Sequence, residues 1–187
     1  TKELVASCAK KSDTALGIIG RTAGEDKDNS ATQGSWYLSD GELDMLKKVR
    51  QGFDKMAVLL NVGNIIDMSF VDQIKPDAVM YVWQGGMLGG LGTADVLTGK
   101  IPPSGKLTDT IAKTIEDYPS NQWFGNREGN FYCEDIFVGY RYFETFAKNK
   151  VLYPFGFGLS YTEFEYSNCS YIRNEDIITL KVDVKNI

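Results

Sequence analysis

Hydrophobic residues in the first hundred positions alternate between short apolar runs and longer amphipathic stretches. Three near-continuous apolar runs are typical of strands buried on both faces of a sheet: residues 15–20, 57–62 and 78–83. Helices are predicted after each of them, over residues 39–53, 66–74 and 87–98. Repeated strand–helix units predict an α/β fold, a mostly parallel, doubly wound sheet with helices on both faces.

The helix predicted over residues 39–53 begins with a recognisable capping sequence. Ser39 is the expected N-cap, and Glu42 stands three residues later, which completes a capping box. At the far end of the third helix, Gly99 is the expected C-cap before two prolines. In an open parallel sheet, ligands bind at the carboxyl ends of the strands. The candidate loops are therefore residues 20–30, 61–64 and 84–90.

The last part of the chain changes character. Residues 109–154 are aromatic and irregular, and from residue 164 onward apolar and polar positions alternate as they do in strands. We therefore expect an α/β domain over residues 1–163 and the truncated start of an all-β module over residues 164–187. Because the sequence begins without methionine and stops inside an alternating run, it is expected to be part of a longer protein.

Charge and composition exclude several function classes. Lys and Arg total 20 against 25 Asp and Glu, a formal net charge of −5, so no basic surface for nucleic acid is expected. No apolar stretch is long enough to span a membrane. Histidine is absent, which removes Ser-His-Asp catalysis and the common zinc sites. The three cysteines, Cys8, Cys133 and Cys169, are far apart and predict neither a disulfide framework nor a metal motif.

The most polar candidate loop follows the first strand. It holds three carboxylates, Glu25, Asp26 and Asp28, beside Arg21 and Lys27. Two interpretations stay open: a solvated charged loop without a specific role, or a loop in which one carboxylate acts as a general acid at a strand terminus.

Aromatic and glycine-rich segments supply further candidates. Trp36 and Trp123 stand beside polar or glycine residues, and each is expected in an exposed loop where it could stack on a sugar ring. The glycine run at residues 85–92 lacks a dinucleotide fingerprint, because Asp95 stands at the third glycine position. Close helix-to-strand packing is the favoured explanation of these glycines. No metal or cofactor is expected.

Taken together, these blocks resemble the second catalytic domain, an α/β sandwich, of the family-three glycoside hydrolases of the β-glucosidase and β-xylosidase type. The matching segments occur in the same order over most of the chain: residues 24–28, 38–42, 58–63, 82–86, 94–100, 103–107, 132–141 and 153–162. The resemblance implies a retaining mechanism in which a barrel domain, absent from this chain, carries an aspartate nucleophile, while Glu25 is the general acid/base. It also implies a fibronectin-type-III-like module beginning near Phe164.

The implied substrates are β-linked gluco- or xylo-oligosaccharides or aryl glycosides, cleaved at a terminal non-reducing β-D-glucosyl residue. The isolated chain, with one of the two carboxylates, is expected to be inactive. Two residues depart from the family pattern: Asp26 replaces a glycine and Asn29 replaces an arginine. An alternative interpretation is therefore a non-catalytic carbohydrate-binding or regulatory module with the same fold. Glycone, domain order, oligomeric state and localisation (cytoplasmic or secreted) are left open by the sequence.

Overall fold

The computed structural model describes residues 1–22, 28–129 and 131–187. The described elements are, in chain order, α1 (Lys2–Ala9), β1 (Thr14–Gly20), α2 (Asp40–Gly52), β2 (Lys55–Asn61), α3 (Phe70–Ile74), β3 (Ala78–Tyr81), α4 (Gly89–Leu97), β4 (Ile111–Ala112), α5 (Tyr140–Phe146), β5 (Val151–Tyr153), β6 (Phe164–Asn174) and β7 (Ile177–Asn186). Three short 3₁₀ turns lie at Ile115–Asp117, Pro119–Gln122 and Lys148–Lys150.

The central feature is a three-stranded parallel sheet in the order β1-β2-β3. Gly17 lies opposite Val58, and Leu60 lies opposite Tyr81. Since all three strands run in the same direction, their carboxyl ends meet at one edge of the sheet. The predicted parallel strand–helix alternation is confirmed.

One face of the sheet carries the hydrophobic core. Helices α2 and α3 pack there, and the fully buried side chains include Ile19, Leu46, Met56, Val58, Leu60 and Phe70. Gly17 allows α2 to approach closely, because a Cβ at this position would lie 2.9 Å from Cδ2 of Leu46. The helix–sheet distance therefore depends on a glycine in β1.

The opposite face is not covered as expected. Leu16 and Ile18 of β1 are largely exposed, although the apolar run predicted a strand buried on both faces. Strands in sequential order joined by right-handed crossovers place their connecting helices on the same face. Helix α4, which follows β3, has no buried residue. The described residues thus form the parallel α/β core but not the second helical layer of a doubly wound sheet.

Helix α2 begins as predicted, whereas α3 begins later than predicted. The Ser39 hydroxyl accepts from the Glu42 amide at 3.3 Å, and the Ser39 amide donates to the Glu42 carboxylate at 2.8 Å, which confirms the capping box. Helix α3 starts at Phe70 rather than near residue 66. The carboxylate of Asp67 instead accepts hydrogen bonds from the backbone and hydroxyl of Ser69, a local turn that competes with helix.

A second, smaller core lies in the aromatic region and is centred on Phe143 of α5. Tyr118 connects it to the short β4–β5 pair: its hydroxyl accepts from the Ala112 amide at 2.9 Å and donates to the Thr110 carbonyl at 2.9 Å. Burial raises the pKa of Tyr118 to about 12. The phenol is therefore held in its neutral form well above the usual tyrosine pKa of about 10.

Tyr118→Phe is expected to lower the free energy of unfolding of the full-length protein by about 1–3 kcal/mol near neutral pH, because the Ala112 amide loses a buried acceptor. The raised pKa means that the contribution of the neutral phenol is complete below pH 10 and is lost as the pH rises toward 12. Denaturant unfolding at pH 8 and pH 11 should show a smaller difference between wild type and variant at pH 11. Tyr132→Phe, at an exposed tyrosine, is the control; a difference that does not change with pH would contradict this expectation.

Strands β6 and β7 form an antiparallel hairpin whose residues are all exposed. Tyr171 lies opposite Leu180, and Tyr166 lies opposite Val184, so one face of the hairpin is apolar. The strands predicted from residue 164 onward are therefore present. No helix in residues 1–22, 28–129 or 131–187 is long and apolar enough to cross a membrane.

Candidate active site

A cavity of about 210 Å³ lies at the carboxyl ends of β1 and β2. It is lined by Arg21, Thr22, Asp28, Asn29, Gly34, Ser35, Gly63, Asn64 and Ile66. Residues of two of the three loops that topology singled out, 20–30 and 61–64, meet here, whereas residues 84–90 do not line it. A larger depression of about 360 Å³ lies at the amino ends of the same strands, lined by Ala9, Lys10, Lys11, Ser12, Asp13, Gly52, Phe53 and Asp54, away from the predicted loops.

Arg21 is the first residue after β1 and is fixed through both backbone and side chain. Its amide donates to the Asn61 carbonyl at 3.0 Å, which joins the ends of β1 and β2. Its guanidinium forms a bidentate ion pair with Glu42 of α2, with Nη2 and Oε2 2.7 Å apart. Planar two-point pairing of this kind fixes geometry as well as charge.

Glu42 is shared between two structural tasks. Besides pairing with Arg21, its carboxylate accepts hydrogen bonds from the amide and hydroxyl of Ser39, at 2.8 and 2.9 Å. Burial by itself would raise the pKa of Glu42, but the hydrogen bonds from Arg21 and Ser39 and the Arg21 charge outweigh it and hold the pKa below its usual value. Glu42 is thus a charged structural carboxylate. The sequence identified Glu42 as the partner of Ser39 in the capping box but gave no signal for its pairing with Arg21.

Asn29 anchors the segment that enters the cavity wall from the other side. Its side-chain amide donates to the Ile65 carbonyl at 2.6 Å. The next residue is also tied down, because the Ser30 amide donates to the Ser35 hydroxyl and the Ser30 carbonyl accepts from the Trp36 amide. Residues 29–36 therefore form a turn fastened to the buried Trp36.

The predicted acidic residues are placed as follows. Asp28 is exposed and lines the cavity. Glu25 and Asp26 lie outside the described residues. Among the residues that are described, no group of three or more His, Cys, Asp or Glu side chains could hold a metal ion.

The two candidate tryptophans differ. Trp36 is only 2% exposed and packs edge-on against Tyr118, with ring centroids 5.8 Å apart. The prediction that Trp36 lies in an exposed loop is therefore wrong, because its ring fills the space beside the aromatic core and presents no open face to a sugar. Trp123 is 38% exposed and contacts Phe131, with ring centroids 4.6 Å apart. It does not line the 210 Å³ cavity.

The glycine run before α4 has a local explanation. A Cβ at Gly85 would lie 2.7 Å from the Gly89 Cα, and Gly86 has φ +60°. The expected close approach of helix to strand is therefore replaced by a tight turn that closes on itself. This geometry requires glycine at Gly85 and Gly86, whereas a Cβ at Gly89, Gly90 or Gly92, which lie in α4, would meet nothing within 4 Å.

Comparison with known proteins assigns the chain to a family. The model of the glycosyl hydrolase family 3 C-terminal domain matches residues 1–161. The chain belongs to glycosyl hydrolase family 3. This family 3 domain is 60% identical over 184 residues to a β-glucosidase of Ruminococcus albus, covering 98% of the chain and 19% of that protein. It is 41% identical to β-glucosidase A of Butyrivibrio fibrisolvens, covering 87% of the chain and 23% of that protein.

Solved structures agree with this assignment. A β-glucosidase from Paenibacillus barengoltzii superposes with a TM-score of 0.91 at 53% identity, covering 98% of the chain and 20% of the known structure. β-Glucosidase 3B from Thermotoga neapolitana, in complex with glucose, superposes with a TM-score of 0.87 at 38% identity, covering all of the chain and 27% of that structure. The family 3 domain thus spans about a fifth to a quarter of the length of these relatives.

Proposed function

We propose that this family 3 domain supplies the general acid/base, Glu25, of a retaining β-glucosidase whose aspartate nucleophile lies on a barrel domain outside this chain. The observation that carries the proposal is the cavity at the carboxyl ends of β1 and β2, since Arg21 and Asn29, which flank the segment containing Glu25, both line it. The relatives that cover nearly the whole chain are named β-glucosidases, which supports the same reaction.

The chemistry follows from two carboxylates about 5–5.5 Å apart. The nucleophile attacks the anomeric carbon and forms a covalent glycosyl-enzyme, while Glu25 protonates the departing glycosidic oxygen. Glu25 then takes a proton from the water that attacks the intermediate, and the original configuration is restored. The proposed substrates are β-linked gluco- or xylo-oligosaccharides or aryl glycosides with a terminal β-D-glucosyl residue. The isolated chain carries only one of the two carboxylates and is proposed to be inactive.

The stereochemistry of the first product tests this reaction class. Proton NMR of the full-length protein acting on an aryl β-glucoside should show β-glucose before mutarotation produces the α-anomer. Initial release of α-glucose would exclude retention. Absence of turnover would favour a non-catalytic carbohydrate-binding or regulatory module.

We propose that Trp123, which lies outside the lining of the 210 Å³ cavity, takes part in substrate binding as a stacking surface. Its partial exposure and its contact with Phe131 support this role, since an aromatic face pre-set by a neighbouring ring loses little freedom when it binds a sugar. Trp36 is not included because its ring is buried.

We also propose that residues 164–187 open a fibronectin-type-III-like module that follows the α/β domain of residues 1–163. The family model ends at residue 161, and the β6–β7 hairpin begins at Phe164. A two-stranded hairpin is marginal alone and becomes stable when its apolar face packs against further strands. The face formed by Tyr166, Tyr171, Leu180 and Val184 supplies such a surface.

A further inference from the structure

The described residues on either side of the segment that contains Glu25 form contacts that sequence analysis did not identify. Glu25 stands midway between Arg21 and Asn29 in the sequence. Arg21 is tied to helix α2, and Asn29 is tied to the segment that follows β2. The two ends of the loop are therefore fastened to two different parts of the parallel core.

The ion pair between Arg21 and Glu42 holds the Arg21 side chain in one position. The Arg21 side chain is 14% exposed and that of Glu42 is 23% exposed, so the pair is shielded from solvent more than an ordinary surface ion pair. Glu42 is itself fixed by Ser39 at the first turn of α2. Because α2 packs on the sheet through the buried Leu46, the position of Arg21 is set by the hydrophobic core.

The Asn29 contact reaches the same core by another route. Asn29 donates to the carbonyl of Ile65, and the amide of the next residue, Ile66, donates to the Tyr81 hydroxyl at 3.2 Å. Ile66 is buried, and Tyr81 belongs to β3. The far end of the loop is thus fixed relative to the third strand.

We infer that Arg21 and Asn29 are positioning residues, which hold the two ends of the Glu25 loop through Glu42 and the Ile65 carbonyl so that the Glu25 carboxyl reaches the glycosidic oxygen. This inference rests on the proposed function. Neither residue touches the reacting atoms; each acts through Glu25. Misplacing an acid by about 1 Å can lower the rate by about 10²-fold.

The test uses an Arg21→Lys/Asn29→Ala double variant of the full-length protein. Lysine keeps the charge at position 21 but cannot form the two-point contact with Glu42. For an alkyl β-glucoside, whose leaving group needs protonation, kcat/KM should fall about 10- to 100-fold. For 2,4-dinitrophenyl β-glucoside, whose leaving group departs without an acid, kcat/KM should change little.

Arg50→Lys is the matched control. Arg50 lies near the other end of α2 and forms an ion pair with Asp77, with Nη1 and Oδ2 2.7 Å apart, away from the cavity. It should leave the ratio between the two substrates unchanged. Asn29→Ala alone, which keeps the Arg21–Glu42 pair, is a second variant that is expected to fold even if the double variant does not, and it should show a smaller change of the same kind.

Glu25→Ala, assayed in parallel, separates this inference from the proposed function. If Glu25→Ala loses activity selectively on the alkyl glucoside while the Arg21→Lys/Asn29→Ala and Asn29→Ala variants lose activity equally on both substrates or on neither, the inference alone is overturned. If Glu25→Ala shows no dependence on the leaving group, the proposed function and the inference are both overturned. Selective loss in Glu25→Ala, in Arg21→Lys/Asn29→Ala and in Asn29→Ala, with Arg50→Lys unaffected, supports both the proposed function and the inference.

Discussion

Glu25→Ala in the full-length protein is expected to lower kcat/KM for an alkyl β-glucoside by about 10²–10⁴-fold, the usual contribution of a general acid. The loss should be far smaller for 2,4-dinitrophenyl β-glucoside, because its leaving group is stable as an anion and needs no proton. The second step also loses its general base, so kcat for the activated substrate should fall together with KM as the glycosyl-enzyme accumulates. Steady-state kinetics on the two substrates measures both effects.

Asp28→Asn is the control for this experiment. Asp28 is a carboxylate of the same loop that lines the cavity, so its removal changes the local charge without removing the proposed acid. Its kinetics should show no dependence on the leaving group. Equal losses on both substrates in Glu25→Ala, or selective loss in Asp28→Asn, would contradict the assignment of Glu25.

Leu46→Ala is expected to lower the free energy of unfolding by about 2–5 kcal/mol, a larger loss than that expected for Tyr118→Phe. Leu46 is fully buried in the main core between α2 and the sheet. Its Cδ2 atom lies close to where a Cβ at Gly17 would stand, so shortening the side chain leaves an unfilled volume at the tightest helix–sheet contact. Denaturant unfolding of the full-length protein, together with hydrogen exchange of the β1 and β2 amides, measures the loss.

Met45→Ala provides the comparison for Leu46→Ala. Met45 is the neighbouring residue on α2 and is exposed, so truncating it removes a side chain of similar size without opening a cavity. We expect it to change the free energy of unfolding by no more than about 0.5 kcal/mol. Similar losses in the two variants would contradict the view that α2 is held to the sheet through Leu46.

Much of the fold could be predicted because its signals are local. Apolar runs identified β1, β2 and β3, and the spacing of Ser39 and Glu42 located the start of α2. The start of α3 is later than predicted because the hydrogen bonds from Ser69 to Asp67 stabilise a local turn in place of the first turn of a helix. The spacing of hydrophobic residues carries no information about this competition.

The layer arrangement depended on strand order, which hydrophobic patterns do not encode. Alternating strands and helices fit either a doubly wound sheet or the sequential order that is observed. The exposed Leu16 and Ile18 show the difference, because both looked like core residues in the sequence. A pattern of apolar residues therefore predicted the strand but not what covers each of its faces.

The place of the candidate site was predictable from topology, whereas its contacts were not. The loops after β1 and β2 were singled out because parallel strands end at one edge, and the cavity lies there. The bonds from Arg21 to Glu42 and from Asn29 to Ile65 join positions 21 and 36 residues apart, which only the folded chain brings together. Trp36 was misjudged for the same reason, since its polar neighbours in sequence do not reveal its packing on Tyr118.

The most direct test of the central claim is azide rescue of Glu25→Ala in the full-length protein with an aryl β-glucoside. Azide needs no general base to attack a glycosyl-enzyme, so the account predicts faster turnover and a β-glucosyl azide product. An α-glucosyl azide product would contradict the account, because it would place Glu25 in the role of nucleophile. Absence of rescue would contradict it as well, because Glu25 would then not be the acid/base.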